Sequence, residues 1–196
     1  MKYYLKLGFT LLIICLIASG ILAWVNSITK DRIADIKRRE AEAARNELIP
    51  GAAFDPVTIR LEADSLVYYE ARDTASGELK GYTFTAAKTG YSSKIQTMAG
   101  VDPQFRLIAI KVIDQAETPG LGANCTQDFF RDGFKGLVGE ELVVDKDGGK
   151  IKSLTGATIT SRAIAQSLQE QLALVRRDVE ARQVAALETP AAGGGQ

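Results

Sequence analysis

Ser153-Leu154-Thr155-Gly156-Ala157-Thr158-Ile159-Thr160-Ser161 stands just before an apolar repeat at Ile164, Leu168, Leu172, Val175 and Val179. The repeat steps by four, four, three and four residues, which makes one face of a helix of four or more turns. The nonapeptide therefore lies at a helix entrance. Five of its residues carry hydroxyls, and Gly156 and Ala157 between them leave room for a bulky group to approach the backbone. A helix start also offers unpaired N–H groups and the positive end of the helix dipole, a natural seat for a phosphate. An ordinary turn, with Thr160 or Ser161 as the helix N-cap, is the alternative reading of the same residues.

Upstream of this entrance the pattern is that of strands, beginning at Phe54. Leu66 to Tyr69 and Tyr82 to Thr85 flank a turn containing Ser76-Gly77, which predicts a hairpin. Lys94 to Met98 and Leu107 to Ile113 are further strands, separated by Asp102-Pro103. Phe129 to Leu137 reads as a short helix, and Leu142 to Val144 as a short strand ending in the Asp147-Gly148-Gly149 turn. The expected fold class is α+β: a twisted, mostly antiparallel sheet closed by packed helices. The Ala/Gly-rich tail, 186–196, reads as disordered.

Leu7 to Val25 contains no charged residue and has the length of a helical bilayer span. Tyr3, Tyr4 and Trp24 stand where interfacial aromatics are expected. A cleaved signal peptide is the rival, but the run is long for one and no A-x-A site follows. The expected division is a cytoplasmic tail 1–6, a transmembrane helix 7–25, a polar helical linker 26–50 and a folded domain 51–185. Pro50-Gly51 ends the linker, which is either a solvated stalk or a docking helix for another protein of the same assembly. Lys2 and Lys6 precede the span, whereas Lys30, Arg32, Lys37, Arg38, Arg39 and Arg45 follow it. That count alone keeps the C-terminal side in the cytoplasm.

The chain has 196 residues, with 24 basic and 24 acidic ones and no histidine. The balanced charge, with no basic stripe, speaks against nucleic acid as a partner. Without histidine there is no His-ligated haem, no His-bearing zinc site and no Ser–His triad. Two cysteines, Cys15 and Cys125, cannot hold a four-thiolate iron–sulfur cluster. Any redox carrier must then be organic. Cys125 reads as a small half-buried hydrophobe rather than a reactive thiol.

Two more segments carry chemistry. Glu117-Thr118-Pro119-Gly120-Leu121-Gly122 forms a tight loop able to hydrogen-bond the edge of a flat heterocycle, and equally reads as a surface loop. It lacks the G-x-G-x-x-G spacing of a dinucleotide site. Gly90-Tyr91-Ser92-Ser93, followed by Ile95-x-x-Met98-x-Gly100-Val101-Asp102, places Tyr91 either on a bound ring or in the core at a strand start.

The span, the linker and these three segments, in this order, resemble the FMN-binding domain family, as found in the G subunit of Rnf electron-transport complexes. The C subunit of the sodium-pumping NADH:quinone reductase is a related match. The resemblance covers nearly the whole chain. It implies FMN joined through its phosphate to Thr158, put there by a dedicated flavin transferase. It also implies a cofactor site built from Lys152, Leu154, Thr155, Gly156, Ala157, Tyr91, Ser92, Glu117, Thr118, Gly120, Leu121 and Gly122. Backbone groups of the Gly120 to Gly122 loop would then tune the ring. The implied role is an electron relay within an ion-translocating ferredoxin:NAD oxidoreductase of the bacterial inner membrane, not catalytic alone. Its partners would be the other membrane subunits, and its FMN domain would lie on the outer side. A flavin-free anchored subunit is the reading from another class. Two departures stand out: Lys152 occupies a position where the family usually has an acid, and Gln115-Ala116 stands where it often has a histidine.

Overall fold

The structure, a computed structural model, describes residues 2–60 and 65–188, with side chains through residue 185. The chain divides into two compact units, the first ending at Glu42 and the second beginning at Ala43. Helix α1, Lys2–Leu48, opens the chain. Its apolar stretch is exposed along its length and is long and apolar enough to cross a membrane. Thr10 and Thr29 donate their hydroxyls to the carbonyls of Lys6 and Val25, 2.9 and 2.8 Å away, so neither leaves an unpaired polar group on that helix. Thus the span and the polar segment after it form one continuous helix.

The second unit is built on a five-stranded antiparallel sheet in the order β1-β2-β3-β4-β5. The strands are β1 (Ala52–Arg60), β2 (Ser65–Asp73), β3 (Leu79–Thr89), β4 (Lys94–Val101) and β5 (Leu107–Asp114). The predicted hairpin is β2–β3. Its turn closes because the Asp73 carboxylate accepts the N–H groups of Ala75 and Ser76, at 2.9 and 3.0 Å.

Helix α3, Thr158–Glu188, covers one face of the sheet. Ile164, Leu168, Leu172, Val175 and Val179 are all buried, against Tyr68, Tyr82, Phe84, Ala99 and Val101. This is the apolar face expected from the sequence. The opposite face of β3 and β4 is closed by the end of α1 and the residue after it: Ala44, Leu48 and Ile49 are buried. Gly100 leaves so little space there that a Cβ would lie 3.1 Å from that of Leu48.

Two local expectations fail. No strand forms at Leu142 to Val144. The chain turns back at once, Gly149 donating to the Val144 carbonyl at 2.9 Å, and only an isolated parallel bridge joins Val144 to Ile151. The buried side chains of Leu142 and Val144 fill the core without a ladder. The helix expected over Phe129 to Leu137 shrinks to one α turn, α2 (Asp128–Arg131), and a 3-10 turn at Asp132–Phe134. The chain leaves the helix at Lys135, which is extended (φ −60°, ψ 134°), and Gly136 follows in the left-handed region at φ 75°. Helix α3 continues through Glu188, into the stretch read as tail; the rest of that expectation, 189–196, lies outside the described residues.

Candidate functional site

The sheet and α3 bring the three motif segments to one end of the second unit. They line a cavity of about 470 Å³, bounded by Tyr91, Glu117, Thr118, Leu121, Gly122 and the stretch from Gly156 to Thr160. This is within the size range of cofactor pockets.

The entrance to α3 is set by Gly156, whose φ of 74° reverses the chain before the helix begins at Thr158. Ser161, one turn in, locks this reversal from behind. Its hydroxyl accepts the N–H of Leu154 at 2.9 Å and donates to the Ala157 carbonyl at 3.1 Å. Thr160 and Ser161 therefore lie inside the helix, and neither is its N-cap. The first-turn N–H groups have no intrahelical acceptor and point out of the helix start. Thr158 is half-buried on the cavity wall. Farther out, Arg162 clasps Asp147 with two hydrogen bonds of 2.6 and 2.7 Å. Asp145 accepts from the Ser153 backbone at 3.1 Å and from its hydroxyl.

The other two segments meet the helix at one carboxylate. Glu117 is buried, and its oxygens accept the backbone N–H groups of Tyr91, Ser92 and Ser93 at 3.3, 3.0 and 2.9 Å. They also accept the hydroxyls of Ser93 at 3.2 Å and of Thr160 at 2.7 Å. Burial would raise its pKa, but the donations from Thr160, Ser92, Ser93 and Tyr91 outweigh burial and hold it below the usual carboxylate range. The glycines beside it are explained by close approach. A Cβ on Gly122 would lie 2.7 Å from one Glu117 oxygen, and one on Gly90 2.8 Å from the other. Gln115 binds the Glu117 N–H through its side chain at 2.7 Å, and the Ala116 N–H goes to the Ser93 hydroxyl at 2.8 Å. The residues standing in place of the family's histidine thus take part in the hub.

The sequence-derived residues fall into two groups. Gly156, Ala157, Thr158, Tyr91, Glu117, Thr118, Leu121 and Gly122 line the cavity. Leu154, Thr155, Ser92, Gly120 and Lys152 do not: Leu154 is buried, and the other four are exposed. Tyr91 is 72% exposed, so it is no core aromatic. Within the loop, the Leu121 N–H is spent on the Thr118 carbonyl at 3.1 Å. Ile159 and Thr160 complete the wall and were not singled out from the sequence as cofactor contacts. For Thr160 a signal existed: its hydroxyl recurs two residues after that of Thr158 at the same helix entrance. Cys125 is fully buried rather than half-buried. Burial, reinforced by the charge of Glu117, pushes its thiol up to about 11, which leaves it protonated and inert.

Comparison with known proteins places the chain in a family. Residues 90–173 match the FMN-binding domain, and residues 2–48 match the RnfG N-terminal region. The chain is 31% identical over 173 residues to the G subunit of the ion-translocating oxidoreductase complex of Methanosarcina acetivorans, covering 85% of this chain and 92% of that protein. It is 32% identical over 185 residues to the G subunit of the Na(+)-translocating ferredoxin:NAD(+) oxidoreductase complex of Acetobacterium woodii, covering 85% and 89%. Among solved structures, the C subunit of the Na(+)-translocating NADH-quinone reductase of Parabacteroides distasonis shares the fold. The TM-score is 0.50 at 24% identity, over 68% of this chain and 79% of that one. With its N-terminal region, its FMN-binding domain and relatives matched over most of their length, the chain belongs to the family of G subunits of ion-translocating oxidoreductase complexes.

Proposed function

We propose that this chain is the FMN-carrying electron-relay subunit of a membrane-bound, ion-translocating ferredoxin:NAD oxidoreductase complex, with the flavin attached covalently through its phosphate to Thr158. The observation that carries this reading is the convergence of the three motif segments on one cavity, with the Thr158 hydroxyl at the start of a helix.

The residues present suit FMN. The first-turn N–H groups of α3 and its dipole stabilise a phosphate bonded to the Thr158 oxygen. Gly156 keeps this approach open, since a Cβ there would crowd Leu121 at 3.0 Å. Exposed Tyr91, Leu121 and Ile159 supply apolar surface for a flat ring. Bound FMN supplies electron-transfer chemistry that no side chain of the cavity has. The protein's part is to hold the ring in place and leave an edge accessible to a neighbouring carrier. A covalently held flavin cannot leave as a product, which suits a relay. A dedicated flavin transferase would form the phosphoester, and the other membrane subunits would be the electron partners. The domain lies on the outer side of the inner membrane in this reading. Lys152, exposed next to the motif, is a candidate for pairing with the phosphate.

The test is to express the chain with its transferase, denature it, and look for in-gel flavin fluorescence and the mass of one FMN less water. Thr158→Ala should abolish both, and Thr155→Ala should leave both intact. A modification mapped to Thr155 instead would overturn the assignment.

A further inference from the structure

Among the described residues that line the cavity, Glu117 is the one that carries a charge. Its carboxylate is held entirely by neutral donors: three backbone N–H groups and two hydroxyls. It forms no ion pair with any described Lys or Arg; Arg162, on the same helix as Thr160, is committed to Asp147. Hydrogen bonds from neutral groups keep a carboxylate ionised, but they do not cancel its charge. A full negative charge is therefore fixed in the wall of the cavity, partly shielded from water, where electrostatic effects exceed those in bulk solvent.

We propose that Glu117 is a tuning residue whose fixed charge lowers the affinity of the bound flavin for electrons, biasing the site toward a strong reductant. This rests on the reading of the cavity as the FMN site. Reduction takes two electrons from the donor and protons from water, and any electron not matched by a proton leaves a negative charge that Glu117 repels. The donors around Glu117 set how much of its charge reaches the cavity. The Thr160 hydroxyl, at 2.7 Å the shortest of them, matters most.

Two variants should then move the flavin in opposite directions. Glu117→Gln keeps the shape and removes the charge. Thr160→Val keeps the volume and removes a donor, leaving the charge less offset. The experiment uses the full-length chain in detergent, loaded with FMN by the transferase, and a reductive titration against reference dyes. Glu117→Gln should raise the reduced-to-oxidised ratio at a set potential tenfold or more, about 30 mV for a two-electron couple. Thr160→Val should lower the ratio, and Glu117→Asp should stay near the parent. Mere loosening of the site would shift Glu117→Gln and Thr160→Val the same way, and that result, or an unmoved Glu117→Gln, overturns the proposal. If circular dichroism shows Glu117→Gln unfolded, Thr160→Val decides alone: a fall supports the proposal, and no change or a rise overturns it. A parent chain that takes up no FMN removes the site assignment as well, whereas flavin present at an unmoved potential counts against Glu117 only.

Discussion

Glu117 links three chain segments because its carboxylate accepts the N–H groups of Tyr91, Ser92 and Ser93 as β3 passes into β4, and the Thr160 hydroxyl from α3. Removing an acceptor from a buried donor costs about 1–3 kcal/mol, so the geometry around it tolerates little change. Gly122 is the sensitive neighbour. A Cβ there would lie 2.7 Å from a Glu117 oxygen and 2.8 Å from the Thr160 hydroxyl, and neither atom is free to swing away. Gly122→Ala should therefore cost about 1–3 kcal/mol through overpacking. Gly133→Ala, where a Cβ would meet nothing within 4 Å, should stay within about 0.5 kcal/mol of the parent. Urea denaturation of the two variants checks this, and equal midpoints would mean that the carboxylate is not held in place.

Helix α3 does two jobs along its length. Its first turn forms the cavity wall, and its later turns supply the core. Leu168 is fully buried against the sheet, so Leu168→Ala should cost about 2–5 kcal/mol, the range for a large-to-small change in a core. Arg177→Ala, on the exposed face, should cost within about 0.5 kcal/mol. Thermal denaturation followed by circular dichroism separates them; a similar loss in both would deny α3 its amphipathic role. Farther along, the buried Tyr68 hydroxyl of β2 donates to Asp178 and accepts from Arg182, both at 2.9 Å. Burial, with the Asp178 bond adding to it, pushes this phenol up to about 12, so it keeps its proton and its donor role throughout the physiological range. The contact ties the second half of α3 to the sheet independently of the cavity.

For the molecule as a whole, its charges and the proposed relay point to opposite sides of the membrane. Six basic residues follow the span between Lys30 and Arg45 and two precede it, which by charge alone keeps the domain in the cytoplasm. The proposed relay places it outside. Asp31, Asp35, Glu40 and Glu42 dilute the charge that must cross, and Lys2 and Lys6 make the other side of the span basic as well. Reporters fused after Pro50 should be active only where export is required. Activity confined to a cytoplasm-specific reporter would mean that the basic residues win.

The sequence by itself determined the elements. Hydrophobic period placed α3 and its buried face, strand-like runs bounded by turn residues placed β2 to β5, and an uncharged run placed the apolar helix. These are local properties, carried by residues a few positions apart. It also marked the three segments of the site, because glycine and hydroxyl residues cluster in them. Only the tertiary structure decided what those segments do to one another. That Gly90 lies against the Glu117 carboxylate, and that Thr160 is a donor to Glu117 rather than a helix cap, depends on contacts across 27 and 43 positions of chain. Likewise Leu142 to Val144 carries strand-forming residues, yet the sheet ends at β5 and offers them no ladder, so they serve the core as loop. Periodicity reports which side of an element is buried; it holds no information about which distant group lies against that side.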